Sequence, residues 1–115
     1  MAQGYAYTPE PNVKNYFGSN AAVVPATETL LATYTVPVAK TATLNYVYGS
    51  GETDGQFKLY VNSTAKWVSR NAWTQRNIQD AIQYSLVAGD VVELKVTNLK
   101  TTNHLFTGGF YVNEL

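Results

Sequence analysis

The sequence lacks cysteine altogether and has one histidine, His104, among its 115 residues. The absence of cysteine excludes disulfides, thiolate zinc sites and cysteine nucleophiles. One histidine leaves little room for histidine-based acid–base catalysis, and we interpret His104 as a loop residue. We therefore expect no metal and no cofactor, and the residues left as catalytic candidates are carboxylates and serines.

The chain has little charge, and neither sign is in excess. Eight Lys and Arg balance eight Asp and Glu, and charged residues make up 14% of the sequence. Binding to nucleic acid by counterion release needs an excess of Lys and Arg, so we expect no nucleic-acid partner. No apolar run reaches membrane-spanning length and the first residues lack the pattern of a secretory signal. We expect a soluble protein made in the cytoplasm, with no membrane partner.

The remaining catalytic candidates are weak. Glu52 and Asp54 lie close together, as glycoside hydrolysis would require, but they lie in a glycine-rich segment expected to be a flexible loop. They also lack the spaced acids of a calcium loop. Ser69 or Ser85 with His104 would be the possible nucleophilic pair, and no G-x-S-x-G elbow accompanies them. The sequence therefore predicts no catalytic residues and no enzyme.

Residues 1–25 differ in pattern from the rest of the chain. Glycine, proline and asparagine interrupt this stretch, and its apolar residues follow neither a strand nor a helix period. It still carries large aromatic side chains that a solvated tail would not favour, namely Tyr5, Tyr7, Tyr16 and Phe17. We predict an extended N-terminal arm over 1–25 that becomes ordered in an assembly, and a folded domain over 26–115.

The folded part alternates apolar and polar residues with a period of two. Phe57, Leu59 and Val61 form one inward set, and a similar set follows near the C-terminus. The other predicted inward residues include Leu30, Ala32, Tyr34, Val36, Ala42, Leu44, Tyr46, Tyr48, Ile78, Ile82, Tyr84, Leu86, Val92, Leu94, Val96, Phe106, Phe110 and Val112. Seven or eight strands separated by turn signals predict an all-β fold, an antiparallel β-sandwich that is jelly-roll-like.

The sequence also predicts two turns and places one acidic residue, Asp80, among the apolar positions of its strand. Residues 37–40 are interpreted as a hairpin turn, and Asn62-Ser63-Thr64 as the turn of a second hairpin. Asp80 falls on the apolar side of its strand, so it needs a hydrogen-bonding partner if it is buried.

Several segments resemble one family. Residues 34–44 (YTVPVAKTATL) resemble a hairpin motif, "TVPAGKTAT", common in small β-sandwich virion proteins of tailed bacteriophages. Residues 54–62 (DGQFKLYVN) look like the second hairpin of that family, and 86–96 (LVAGDVVELKV) look like its "AAGD-x-V-x-L" strand pair. The sequence departs from the motif at Val38-Ala39, where the family more often has Ala-Gly, so the turn there could be wider.

The resemblance implies a structural virion protein, either a capsid decoration (cement) protein or a domain of a tail or head fibre. Cement proteins of this size sit in many copies on the outer shell, often as homotrimers, and use a terminal arm to bridge neighbouring subunits. The expected partners are the major capsid protein and further copies of this chain. The expected location is the outer surface of the phage head, and the aromatic arm favours the cement protein.

The interface prediction rests on aromatic residues and arginine, because protein interfaces concentrate both. Trp73 lies in a polar loop that includes Arg76, whereas Trp67 could equally belong to the core. The predicted interface residues are Tyr5, Tyr7, Tyr16, Phe17, Tyr60, Trp73 and Arg76. The alternative function is a carbohydrate- or receptor-binding module in which Trp73 and neighbouring tyrosines hold a glycan by stacking.

Overall fold

A computed structural model describes residues 13–115, which form eight antiparallel β-strands. The strands are β1 (Val13–Val23), β2 (Glu28–Thr35), β3 (Thr41–Gly51), β4 (Gly55–Val61), β5 (Thr64–Asn71), β6 (Asn77–Val87), β7 (Val91–Asn98) and β8 (His104–Glu114). Within residues 13–115 there is no helix long and apolar enough to cross a membrane.

The strands form two four-stranded sheets, with the orders β1-β8-β3-β6 and β2-β7-β4-β5. This is the order of an eight-stranded jelly roll, and it confirms the predicted β-sandwich. Consecutive strands mostly cross from one sheet to the other. Residues 37–40 therefore turn the chain between sheets, and the hairpin expected there is wrong. The second expected hairpin is confirmed, because β4 pairs with β5 across Asn62 and Ser63, which both have positive φ.

The core lies between the sheets and follows the predicted alternation most closely in the central strands. In β4, Phe57 and Leu59 are fully buried, while Gln56, Lys58 and Tyr60, which alternate with them, face outward. The same holds for β7 and β8, where the fully buried apolar residues are Val92, Leu94, Val96, Phe106, Phe110 and Val112. At each register shift along β4, β7 and β8 the extra residue lies in the partner strand, so these three strands keep an undisturbed period of two.

In β2 the alternation shifts by one residue. The pairing of β2 with β7 slips between Leu30 and Ala32, so an extra residue enters the strand. Leu31 then points into the core at 9% exposure, whereas Leu30, predicted to be inward, is 45% exposed. The bulge keeps Ala32 and Tyr34 buried, as expected.

We expect alanine substitution at these two adjacent leucines to have very different effects on stability. Leu31→Ala should lower the free energy of unfolding by about 2–4 kcal/mol, because it leaves a cavity in the core. Leu30→Ala should cost less than about 1 kcal/mol, since its side chain is half in water. Urea denaturation of both variants measures the difference, and equal losses would contradict the bulged register.

A similar shift in β3 turns two tyrosines outward. The pairing of β3 with both neighbours changes between Leu44 and Tyr46. Leu44 and Val47 are fully buried, and Tyr46 and Tyr48 lie on the outer surface of the sheet. The inward placement predicted for Tyr46 and Tyr48 is therefore wrong.

The N-terminal arm is also corrected. Residues 1–12 lie outside the described part of the chain, but Val13–Val23 form β1, which pairs with β8 at the edge of a sheet. Tyr16 packs against Tyr34 and Phe110, with ring centroids 4.7 and 5.8 Å away. Val13–Val23 therefore belong to the sandwich, and the predicted boundary at residue 26 is wrong. The prediction failed because an edge strand with one partner strand need not show regular alternation.

The two lateral sides of the sandwich differ. On one side β1 lies directly against β2, and a Cβ on Gly18 would overlap the carbonyl of Leu31. On the other side the edge strands β5 and β6 leave an open groove of about 650 Å³. Trp67 donates a hydrogen bond from Nε1 to Oδ2 of Asp80 across this side (2.7 Å). Asp80 is exposed, so the burial that would have required a partner is not present.

Candidate functional site

The outer surface of the β1-β8-β3-β6 sheet carries four aromatic side chains side by side. The strand register places Tyr46 opposite Tyr111, and places Tyr48 and Phe17 on either side of Gly109. The ring of Tyr111 lies 5.9 Å from both Tyr46 and Tyr48, and Phe17 stacks on Tyr48 at 6.2 Å. We call Phe17, Tyr46, Tyr48 and Tyr111 the tyrosine face.

Tyr48 is held in place by two features of the neighbouring strands. A Cβ on Gly109 would come within 2.6 Å of the Tyr48 hydroxyl, so the glycine leaves room for the ring to lie across β8. The hydroxyl donates a hydrogen bond to Oδ1 of Asn15 in β1 (2.6 Å). Partial burial raises the pKa of Tyr48 above its ordinary value, against the smaller lowering effect of the Asn15 contact. The phenol therefore stays neutral near pH 7.

A shallow cleft of about 340 Å³ adjoins the tyrosine face between β3 and β6. Polar groups on its wall come from Ser50, Asn77 and Gln79, and Ser50 donates a hydrogen bond to Oδ1 of Asn77 (2.7 Å). The full lining is Tyr46, Tyr48, Gly49, Ser50, Asn77, Ile78, Gln79 and Tyr111. Within the described residues, no charged side chain lines this cleft.

The outer surface of the other sheet is different, because it is charged. Tyr60 donates a hydrogen bond to the carboxylate of Glu28, and the ammonium of Lys95 lies 5.1 Å from its ring. The Glu28 contact raises the pKa of Tyr60 to about 12. Lys95 also lies 4.0 Å from Glu93. Tyr60 is thus part of a network of charged residues and does not join the other predicted interface residues.

Trp73 projects from a hydrogen-bonded loop at one end of the sandwich. Its side chain is 63% exposed. Ala72 and Gln75 exchange two backbone hydrogen bonds (3.1 and 2.9 Å), and the Trp73 amide donates to Oδ1 of Asp54 (3.1 Å). Arg76 donates from Nε to the Trp73 carbonyl (3.4 Å). We call residues 72–76 the Trp73 loop.

Two buried asparagines fix the loops at this end. Asn71 donates from Nδ2 to the carbonyls of Thr53 and Arg76 (2.9 and 3.1 Å), which ties the Trp73 loop to the β3–β4 connection. Asn98 donates to the carbonyls of Val23 and Thr102 (2.9 and 2.8 Å). In the strand register Asn71 and Asn98 flank Gly55 on either side. A side chain at Gly55 would press on Asn71 and Phe106, so this position needs glycine.

The two acids of the β3–β4 connection contact different neighbouring segments. Glu52 accepts a hydrogen bond from the amide of Leu105 (2.7 Å), which is the main reason that the pKa of Glu52 lies below its ordinary value. Asp54 binds the Trp73 amide and lies 3.5 Å from the ammonium of Lys100. Each acid therefore holds loops together.

His104 is the first residue of β8, so its interpretation as a loop residue is wrong. Its Nδ1 lies 3.5 Å from the carboxylate of Glu52, and its Nε2 lies 3.0 Å from the hydroxyl of Thr102. Among residues 13–115 no three potential metal-ligating side chains form a group.

The predicted interface residues fall in separate places. Tyr5 and Tyr7 lie outside the described residues, and Tyr16 packs against the core. Phe17 belongs to the tyrosine face, at 57% exposure. Tyr60 lies on the charged sheet, and Trp73 and Arg76 lie together in the end loop.

Sequence reasoning missed Tyr46, Tyr48 and Tyr111 as surface residues. The signal for Tyr111 was present, because it alternates with Phe110 and Val112, which face inward. The bulge in β3 concealed the other two.

Comparisons with known proteins found no family and only distant structural similarity. No family model matches the chain, and no curated protein matches it. Among solved structures, the insecticidal delta-endotoxin Cry8Ea1 of Bacillus thuringiensis is 8% identical, with a TM-score of 0.46 over 77% of this chain and 18% of that chain. The nucleoplasmin-like N-terminal domain of Drosophila FKBP39 is 13% identical, with a TM-score of 0.43 over 87% and 89%. PorU of Porphyromonas gingivalis is 6% identical, with a TM-score of 0.43 over 90% and 13%.

Proposed function

We propose that this chain is a non-catalytic structural protein of a phage virion, of the capsid decoration type, and that the Trp73 loop attaches it to the head shell. The observation that carries the proposal is a tryptophan left 63% exposed on a loop that is held by backbone and side-chain hydrogen bonds. The resemblance of residues 34–96 to small virion sandwiches supports the phage origin.

The physical argument concerns the cost of ordering an interface. Tryptophan and arginine are the side chains that most often dominate binding energy when a partner buries them. A loop that is already rigid loses little conformational freedom on binding, so more of the buried surface contributes to affinity. Asp54 and Asn71 hold this loop in the free chain. Attachment through it leaves both outer sheet surfaces accessible.

The experiment measures attachment to purified phage heads that were assembled without the chain. We expect the wild-type chain to bind in hundreds of copies per head. We expect Trp73→Ser to weaken binding about thirtyfold, the loss typical of a tryptophan that dominates an interface. Cosedimentation with quantification of the bound chain gives both numbers.

Val38→Ser provides the matched control. Val38 is 90% exposed in the turn between β2 and β3, and its replacement is an equally polar change outside the Trp73 loop. This variant should bind as the wild type does. Unchanged binding by Trp73→Ser, or a few copies at one vertex, would overturn the proposal. Self-association as a homotrimer stays a prediction, which sedimentation analysis of the free chain tests.

A further inference from the structure

We propose that the tyrosine face is a saccharide-binding surface that takes a neutral glycan in the cleft beside Tyr46, Tyr48 and Tyr111. This goes beyond the proposed attachment to the head shell, because it assigns a ligand to a different surface. The cleft lies on a sheet, whereas the Trp73 loop lies at the end of the sandwich. The cleft adjoins the Trp73 loop, because its lining residue Asn77 follows Arg76 directly in the sequence, but the two sites share no residue.

The lining of the cleft has the two chemical parts that a sugar requires. A pyranose ring has apolar C–H faces and a rim of hydroxyl groups. Tyrosine rings supply apolar contact area and a polar hydroxyl at the same time. The amides of Asn77 and Gln79 can both donate and accept hydrogen bonds, and so can the hydroxyl of Ser50. These groups can serve sugar hydroxyls in either role.

The absence of charged side chains in the cleft favours a neutral ligand. No charged side chain lines the cleft within the described residues, whereas the opposite sheet exposes Lys58, Lys95 and Glu93. A phosphate, a sulfate or a sialic acid would find no cation in this cleft to pair with it. A neutral glycan places no unpaired charge there, so its desolvation costs less.

The geometry favours a small ligand over a protein partner. The cleft is concave, and about 340 Å³ lies at the lower end of the range for small-molecule sites. Its rings are also arranged in advance. Asn15 and Gly109 hold Tyr48, and Tyr46 meets Tyr111 edge to face. A site with fixed rings loses little freedom when a ligand binds.

The test uses immobilised neutral oligosaccharides of glucose, galactose and mannose beside sialylated and sulfated glycans of equal length. We expect the chain to bind at least one neutral series in the millimolar to micromolar range and the acidic glycans at least tenfold more weakly. Tyr111→Ser and Gln79→Ala should each weaken this binding about tenfold. Both variants should fold, because Gln79 is exposed and Tyr111 is 37% exposed. Circular dichroism and urea denaturation check this.

Two controls separate this proposal from the attachment proposal. Tyr60→Ser removes a tyrosine from the charged sheet and should bind glycans as the wild type does. Trp73→Ser should keep glycan binding, and Tyr111→Ser should keep attachment to heads. The saccharide proposal is overturned if no neutral glycan binds, if acidic glycans bind equally well, or if Tyr111→Ser binds unchanged. Loss of head attachment in Tyr111→Ser would identify the tyrosine face as a protein interface instead.

Discussion

Asn98→Ala is expected to lower the free energy of unfolding by about 2–4 kcal/mol. The side chain of Asn98 is fully buried and makes three hydrogen bonds. Its amide donates to the carbonyls of Val23 and Thr102, and its Oδ1 accepts from the amide of Lys100 (2.8 Å). Alanine leaves these backbone groups without a partner. Val23 is itself buried, so water cannot readily replace the lost contact.

Urea denaturation measures the loss, with Asn103→Ala as the control. Asn103 lies in the same connection between β7 and β8, but it is exposed, so its replacement should change stability by less than about 0.5 kcal/mol. A matching small effect at Asn98 would mean that the loops at this end do not depend on the buried amide.

Asn98 is linked to the proposed attachment site through neighbouring strands and hydrogen bonds. Asn98 and Asn71 lie on either side of Gly55, and Asn71 holds the carbonyl of Arg76 in the Trp73 loop. The rigid presentation of Trp73 therefore depends on polar groups inside the sandwich. Buried amides with paired donors fix a loop more uniquely than apolar packing does, because each bond has a required direction.

The sequence predicts the central strands well because their environment is regular. Phe57 and Leu59 in β4, and Val92 and Leu94 in β7, alternate without interruption, and all four are fully buried. Where their pairing shifts register, the extra residue lies in the neighbouring strand β2 or β5, so β4 and β7 keep their own period of two. The β-sandwich follows from such patterns and from the turn signals between them.

Bulges limited the prediction of individual side chains. One extra residue reverses which face every later residue occupies. In β2 this moved Leu31 inward, and in β3 it moved Tyr46 and Tyr48 outward. Because the tyrosine face depends on the second bulge, sequence alternation placed half of that site inside the core.

The strand order and the pairing of the edge strands could be determined only from the structure. Alternation shows which face of a strand is buried but not which strand lies beside it, so the crossing of residues 37–40 between sheets was not predictable. The Trp73 loop was recognised because a tryptophan among polar residues is unusual by composition alone. Its hydrogen-bonded conformation was not predictable, since the Trp73 amide binds Asp54 and the Asn71 side chain binds the Thr53 carbonyl, 19 and 18 residues away in the sequence.

Gly18→Ala is expected to lower the free energy of unfolding by about 3 kcal/mol or more. A Cβ at this position would overlap the backbone carbonyl of Leu31, and a backbone strand cannot move aside as the end of a flexible side chain can. Relief of the overlap requires β1 to separate from β2. That movement exposes Tyr34 and Phe110, on which Tyr16 packs. The loss should therefore include apolar burial as well as strain.

Urea denaturation and hydrogen exchange of the β1 amides measure this result, and Ser19→Ala is the control. Ser19 is the next residue of β1 and is exposed, so its replacement should be nearly neutral. Separation of β1 should raise amide exchange in residues 14–20 of Gly18→Ala well above that in β7, because local opening then precedes global unfolding. Wild-type stability and protection in Gly18→Ala would instead show that β1 and β2 accommodate a side chain at position 18, which would contradict the close approach of Gly18 to Leu31.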